Sequence, residues 1–172
     1  MANIPVKLAN ARVYFKNKVL LGIADAELPK IEFDTESLKG LGIGGEIEVV
    51  NPAYLKPMNA KLKFNTTTKE FSNLSAPEAH EIEIYGATEF KDDTTKEIKY
   101  GQVRAYLKAT AKSANPGKLE AGKPMDAEIE LTVYVYKLEI DGQMVYEIDP
   151  ENFVLNVNGK DYLSDVRTAL GM

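Results

Sequence analysis

The chain has 172 residues, a formal net charge of −5 and no cysteine. This composition excludes a disulfide framework, a thiolate zinc site, an iron–sulfur cluster and a cysteine nucleophile. The acidic balance also disfavours strong non-specific binding to duplex DNA, which needs a basic face. With 44% hydrophobic residues the chain can fill a core, and its length predicts a single domain over residues 1–172.

No apolar stretch in the sequence has the length of a targeting or membrane segment. Met1–Lys7 contains no apolar run of signal-peptide length, and no stretch reaches the ~18 apolar residues typical of a membrane span. We therefore expect a protein made in the cytoplasm, without a membrane-spanning segment.

A period of two dominates the chain and predicts half-buried strands. Alternation is clear in Met58–Asn65, Glu81–Tyr85 and Glu128–Val135, weaker in Gln102–Ala109, and starts at Ile31–Asp34 before fading towards Leu38. The dipeptides Asp141-Gly142 and Asn158-Gly159, and the segment Lys16-Asn17-Lys18, predict tight reversals between strands. Pro29 breaks the strand that follows the first reversal. Strands joined this closely predict a mainly β, antiparallel fold.

Two segments are candidate helices and two are candidate long loops. Thr68–His80 predicts one short helix, and Asp161–Leu170 has helical spacing but also fits a chain-end arm. Gly40–Tyr54 and Lys112–Met125 lack a strand pattern. Loops this long in a small domain have a function or are mobile.

Motifs for chemistry are weak in this sequence. Gly40, Gly42 and Gly45 match G-x-G-x-x-G, but the strand before and the helix after that a dinucleotide site needs are absent. His80, the single histidine, is better explained as a surface or satisfied residue than as a catalytic base. Asp92-Asp93 lacks the spacing of an EF-hand loop. The sequence therefore predicts no enzyme, metal site or cofactor.

Charge is unevenly spread over the strand faces. Glu32, Asp34 and Glu36 alternate along one strand, and Glu128 and Glu130 along another, whereas lysines gather elsewhere, at positions 61, 63, 108, 112, 118 and 123. Simple solubility of exposed sheet faces explains such rows. The alternative is a pair of charged surfaces with different partners.

The C-terminal third carries a recognisable series of residues. It reads Tyr136-x-Leu138-x-x-Asp141-Gly142, Glu147-Ile148-Asp149-x-x-Asn152 and Val157-Asn158-Gly159-x-Asp161-x-Leu163, then Arg167 and Leu170-Gly171. Upstream, Leu28-Pro29-Lys30 and the glycine cluster Gly40–Gly45 follow in order. This series resembles the major tail tube proteins of contractile-tailed phages and, more distantly, the tubes of R-type bacteriocins and the haemolysin-coregulated protein of type VI secretion.

The resemblance implies a fold and an assembly. The fold is two antiparallel sheets in a β-sandwich or barrel with one short α-helix, here with N-terminal and C-terminal arms and a glycine-rich loop at about 40–54. Hexameric rings, each with a β-lined channel, stack into a tube. The implied partners are a sheath outside, the tape-measure protein and transiting DNA inside, and a baseplate and tail terminator at the ends. The implied location is a virion or tail-like particle assembled in the host cytoplasm. Headless particles of this kind perforate membranes.

The assembly gives each feature of the sequence a predicted place. The carboxylates of the two acidic rows are expected to line the lumen, where like charge would keep DNA from sticking: Glu32, Asp34, Glu36, Glu128 and Glu130. Contacts between subunits or rings are expected at Gly40, Gly42, Gly44, Gly45, Pro116, Gly117 and Arg167. The competing hypothesis is a monomeric β-sandwich module that binds a ligand, which predicts an exposed aromatic platform.

Overall fold

The computed structural model of the protein describes residues 3–20 and 22–172. In this described part, strands dominate and helices are short. The strands are β1 Asn3–Phe15, β2 Lys18–Leu20, β3 Ile23–Glu27, β4 Phe33–Leu38, β5 Ile47–Leu55, β6 Met58–Phe64, β7 Ala79–Asp92, β8 Ile98–Asn115, β9 Ala127–Ile140, β10 Gln143–Asp149, β11 Val154–Val157 and β12 Lys160–Asp161. The helices are α1 Lys69–Leu74, α2 Ser164–Ala169 and the 3-10 turn Pro150–Asn152.

The strands form two antiparallel sheets. The larger sheet has the order β12-β11-β10-β9-β8-β7-β1-β2, and β6 and β3 branch from it because the first half of β9 pairs with β6 while its second half pairs with β10. The smaller sheet is the hairpin β4-β5. The mainly β fold with two antiparallel sheets is therefore confirmed.

The larger sheet curves around its core into an open barrel. The strand order ends at β2, and the branch through β6 ends at β3. Only residues 21–22 separate β2 from β3 in the chain, yet β3 pairs with β6 and not with β2. A seam thus remains between β1–β2 on one side and β3 on the other. The core inside is apolar, with Leu62, Leu107 and Ile129 fully buried.

Turn chemistry places the hairpins where the sequence predicted them. Asp141 and Gly142 both have positive φ, 49° and 79°, which matches the right-handed twist of the flanking β9 and β10. Asn158 and Gly159 repeat the pattern between β11 and β12. Lys16 and Asn17, with φ of 50° and 60°, reverse the chain between β1 and β2.

Both candidate helices form, so the expectation of one short helix is corrected to two. Thr68 caps α1 by accepting a hydrogen bond from the Phe71 backbone N–H, and Phe71 and Leu74 are buried. The second helix, α2, has no side-chain cap, but Val166 packs against the core. Within the described residues, neither helix is long and apolar enough to cross a membrane.

Three expected boundaries differ from the structure. The N-terminal arm is instead β1, a full strand of the larger sheet that pairs with β7 from Asn3 onward. The glycine-rich loop is shorter than 40–54, because β5 begins at Ile47 and pairs with β4. The second long loop starts later than Lys112, because β8 continues to Asn115. Each of these three strands includes residues that the sequence did not predict to be strand.

Candidate assembly surfaces

The hairpin Phe33–Leu55, here called the arm, pairs with no other strand in the described part of the chain. Its base is fixed to the preceding segment, where the Lys56 N–H donates to the Glu32 carbonyl at 2.8 Å and the Lys56 Nζ lies 2.9 Å from the Glu32 carboxylate. Its tip is the glycine cluster, where Gly42 has a φ of +87° that a glycine adopts without strain. The arm is thus a strand pair with both outer edges free.

One face of the arm is apolar and acidic. Cross-strand partners share a face, and the register pairs Leu38 with Ile47 and Glu36 with Val49. All four side chains are exposed, as is Leu41 at the tip. The opposite face carries Thr35, Ser37, Glu48 and Val50. An exposed apolar strand pair of this kind is a pairing or docking element unless something covers it.

A second free edge runs along β1. On one side β1 pairs with β7 over its whole length, but on the other side β2 covers only Val13–Phe15. The edge of residues 3–12 is therefore open, and Ile4, Val6 and Leu8 are exposed on it. The strand patterns described from the sequence do not include this segment, although Ile4, Val6 and Leu8 alternate along it.

The open seam beside β1 is an apolar groove of about 590 Å³. Its walls are β1 and β3, including Ala11 and Ile23, and its floor includes Ile84, Gly86 and Val103. Ala11 pairs with Gly86 and stands two residues before buried Val13, yet Ala11 itself is exposed. The barrel interior is thus accessible along the seam.

The arm and β1 have opposite charge. The arm contains four carboxylates and one lysine, whereas β1 contains Lys7 and Arg12 and no acidic residue. Among the residues that the structure describes, Lys7, Arg12, Asp34 and Glu36 take part in no ion pair.

The predicted acidic rows lie on different elements. Asp34 and Glu36 are on the arm, and Glu32 stands at its base, where hydrogen bonds from Lys56 and Lys30 lower the pKa of its carboxyl. Glu128 and Glu130 share a face of β9 in the larger sheet. The structure therefore does not bring the five carboxylates into one row.

Lysines on the neighbouring strand balance the carboxylates of the larger sheet. Lys61 lies 3.1 Å from Glu128 and 3.5 Å from Glu130, and the hydrogen bond to Glu128 raises the pKa of the Lys61 amine. Lys63 lies within 4 Å of Asp25 and Glu27 on β3. This face of β3, β6 and β9, here called the ladder face, carries alternating charge with an excess of carboxylates.

Sequence reasoning missed a second charged network, centred on Arg104 of β8. Its guanidinium lies 3.3 Å from Glu83 on β7 and 3.4 Å from Glu139 on β9. The Tyr85 hydroxyl donates to Glu83 at 2.8 Å, and this bond raises the pKa of the phenol. The sequence shows Arg104 as one of three arginines in a chain rich in lysine. Only the strand register places Glu83 and Glu139 beside it.

Of the remaining residues predicted to contact other subunits, the four glycines are exposed, whereas Pro116 and Gly117 contact other residues of their own subunit. Gly40, Gly42, Gly44 and Gly45 form the exposed arm tip. Pro116 accepts a hydrogen bond from the Thr67 hydroxyl at 2.7 Å. A side chain at Gly117 would overlap the Met125 carbonyl.

Arg167 holds the C-terminal segment on its own subunit. The guanidinium donates to the Phe153 carbonyl at 2.7 Å and pairs with Asp161, which lowers the pKa of that carboxyl. Contacts of the arm tip, Pro116, Gly117 and Arg167 with other subunits stay predictions. His80 is buried against Phe15, and its Nε2 lies 3.3 Å from the Ala76 carbonyl, as expected for a satisfied histidine.

Comparison with known proteins identifies the family. The family model for phage tail tube protein FII matches residues 5–171. The tail tube protein of Escherichia phage P2 is 24% identical over 182 residues, which covers 98% of this chain and 99% of the phage protein.

Two solved structures share the fold. The sheath/tube terminator of the PVC extracellular contractile injection system has a TM-score of 0.54 at 16% identity, covering 78% of this chain and 96% of the other. The PVC sheath-tube complex gives a TM-score of 0.51 at 17% identity, covering 79% and 90%. Because the family model spans nearly the whole sequence, the chain belongs to the phage tail tube protein FII family.

Proposed function

We propose that this protein is the structural subunit of the inner tube of a contractile phage tail or tail-like particle. The observation that carries this proposal is the family match over residues 5–171. Subunits assemble into hexameric rings, and the rings stack into a hollow tube that conducts DNA, or that perforates a membrane in a headless particle. The role is structural, not catalytic, and the protein resides in the assembled particle.

The exposed apolar surfaces support assembly. A soluble monomer rarely leaves long apolar strand edges uncovered, because they pair with other chains. Here the arm exposes Leu38, Ile47 and Val50, and the open edge strand β1 exposes Val6 and Leu8. Other copies of the same chain would cover these surfaces in a tube.

The ladder face is our candidate for the lumen. It keeps Glu128 and Glu130 of the predicted lumen set and adds Asp25 and Glu27, with Lys61 and Lys63 between them. Glu32, Asp34 and Glu36 lie on or beside the arm and not on this face, so their expected place in the lumen stays a separate prediction. Interspersed charge with an acidic excess lets a phosphate backbone pass without a basic surface that would retain it.

The proposed partners of the protein follow from its proposed place in a tail tube. A sheath surrounds it, a baseplate and a terminator close its ends, and the tape-measure protein and later DNA occupy its channel. The PVC structures with the same fold come from a sheath-tube complex and a sheath/tube terminator, which supports the sheath and terminator as partners.

Electron microscopy of the purified full chain tests the proposal. The protein is concentrated stepwise and examined by negative stain at each concentration. Rings or tubes with a central channel are expected. A monomer that persists at every concentration would overturn the proposal and favour the ligand-binding module.

A further inference from the structure

We infer that the arm of one copy docks into the groove beside β1 of a second copy. The face of the arm that carries Leu38, Ile47 and Val49 would enter the open seam, and a free strand edge of the arm would extend the sheet at residues 3–12 of β1. This inference rests on the proposed assembly and specifies which surfaces meet.

The first argument is that the arm and the seam each have a free strand edge next to exposed apolar residues. The arm has free edges and exposes Leu38, Ile47 and Val49 on one face. The seam has a free edge and an apolar lining in which Ala11 is exposed. A strand added to an open sheet edge satisfies backbone N–H and C=O groups on both partners, and its alternate side chains fill the neighbouring pocket.

The second argument is charge complementarity. The arm is acidic on both faces, with Asp34 and Glu36 among its apolar residues and Glu48 on the other face, while β1 carries Lys7 and Arg12. Side chains alternate between the faces of a sheet, and the register with β7 places Lys7 and Arg12 on the face opposite the groove-lining Leu8 and Ala11. An arm strand added to this edge with its apolar face towards the groove would place Glu48 on the side of Lys7 and Arg12. In the described part of the subunit these three groups have no ion-pair partner, whereas Glu32 beside the arm is paired with Lys30 and Lys56. Opposite charges fix register and suppress wrong pairings at such an interface.

The third argument concerns the occupant. The arm forms a sheet of its own and does not pair with β1 of the same chain. A second copy supplies a strand pair with the required apolar face and carboxylates, so no other partner is needed to explain the groove. A small-molecule ligand would leave the strand edge of β1 unpaired.

Cysteine cross-linking tests the inference, because the natural chain has no cysteine. Ala11→Cys in the groove is co-expressed with one arm variant at a time. The arm variants are Leu38→Cys, Ile47→Cys and Val49→Cys on the docking face, each matched by an adjacent control on the opposite face: Ser37→Cys, Glu48→Cys and Val50→Cys. Every chain has a single cysteine, so each disulfide joins two copies, and mass spectrometry of the linked peptides identifies the pair.

The expected result is that at least one docking-face variant links to Ala11→Cys about tenfold faster than its matched control, since docking raises the local thiol concentration. Equal rates on both faces, or links between arms only, would overturn the inference. Tubes without the Ala11 link overturn the inference and leave the tube function intact. A disulfide between a docking-face variant and Ala11→Cys in a sample without tubes supports the docking and contradicts the proposed tube function.

A charge exchange gives a second measurement that does not depend on thiol geometry. Arg12→Glu should weaken co-sedimentation of assembled protein, and Glu48→Arg in the same chain should restore it. Glu36→Arg, whose side chain lies on the docking face, is the matched control and should not restore it. Failure of Glu48→Arg to restore assembly of a folded Arg12→Glu protein, or restoration by Glu36→Arg alone, would overturn the pairing.

Discussion

Asp92 holds the turn between β7 and β8 through a buried carboxylate. The carboxylate accepts hydrogen bonds from the Thr94 and Thr95 backbone N–H groups at 2.9 and 3.0 Å and from the Lys99 amine at 2.7 Å. These bonds, that of Lys99 first, hold the pKa of Asp92 well below its usual range. Because the carboxyl of the unfolded chain titrates near pH 4, the stabilisation is complete above about pH 4 and is lost as the pH falls towards the folded pKa.

We therefore predict that Asp92→Asn lowers the melting temperature at pH 7 and that its difference from wild type shrinks below about pH 4. Thermal unfolding followed by circular dichroism between pH 7 and pH 2 measures both effects. Asp93→Asn is the matched control, because Asp93 is exposed and pairs only with Lys96 in the described residues. Equal destabilisation by the two variants would contradict the role given to the Asp92 carboxylate.

A second prediction at the residue scale concerns the loss of stability when Gly117 is replaced by alanine. Its φ is +86°, and an added Cβ would overlap the Met125 carbonyl, whereas Gly122 in the same loop has a φ of +77° with open space around it. Gly122→Ala should cost roughly 1–2 kcal/mol for the left-handed conformation alone. Gly117→Ala should cost more, because the backbone must also shift. Urea unfolding of both variants gives the difference, and equal midpoints would contradict it.

At the scale of the element, the arm should be separable from the fold. Asp34 and Asn51 are cross-strand partners, so residues 35–50 can be replaced by a two-residue Asn-Gly turn between them. Of the arm, only Phe33, Ala53 and Leu55 pack against the core, and all three are retained. We expect a folded subunit with a nearly unchanged melting temperature that no longer forms rings or tubes.

Sedimentation velocity and negative-stain microscopy check the shortened arm. A matched control replaces residues 119–121, in the exposed part of the other long loop, with three glycines and should still assemble. Tubes of normal appearance from the shortened arm, at the same protein concentration as wild type, would show that the arm does not join subunits.

The same elements show how far a sequence predicts structure. Met58–Phe64 alternates between buried and less buried residues because one of its faces packs on the core of its own subunit, and its strand was predicted. Along β5, Ile47, Val49 and Val50 are all exposed, so no core face imposes a period of two there, and the segment reads as a loop. Patterns set by contacts with another chain are hidden from single-chain reasoning.

At the scale of the whole molecule, the net charge predicts the charge pattern of a sheet face less well than the strand register does. The chain is acidic overall, and the alternation of Glu128 and Glu130 predicted an acidic row along one strand. Register places Lys61 opposite Glu130 and Lys63 opposite Glu128, so the ladder face is mixed. The spacing of charges along one strand is written in the sequence, but the pairing across strands follows from the sheet.

The ladder face leads to a prediction for the assembled tube. Glu128→Gln with Glu130→Gln removes both carboxylate partners of Lys61 while leaving residue size unchanged. If this face lines the channel, tubes of the double variant expose Lys61 without its carboxylate partners in every subunit and should retain short duplex DNA at low salt. Retention should vanish as salt rises, since phosphate contacts release counterions. Wild-type tubes should retain little DNA at any salt concentration.

Co-sedimentation of a fluorescent DNA fragment with preformed tubes measures this retention. Glu151→Gln removes an exposed carboxylate outside the ladder face and tests whether any loss of negative charge has the same effect. Microscopy first confirms that both variants form tubes. Equal retention by the double variant and by Glu151→Gln tubes would place the ladder face away from the channel. Selective, salt-sensitive retention by the double variant would place its carboxylates where they keep the channel from binding the DNA it conducts.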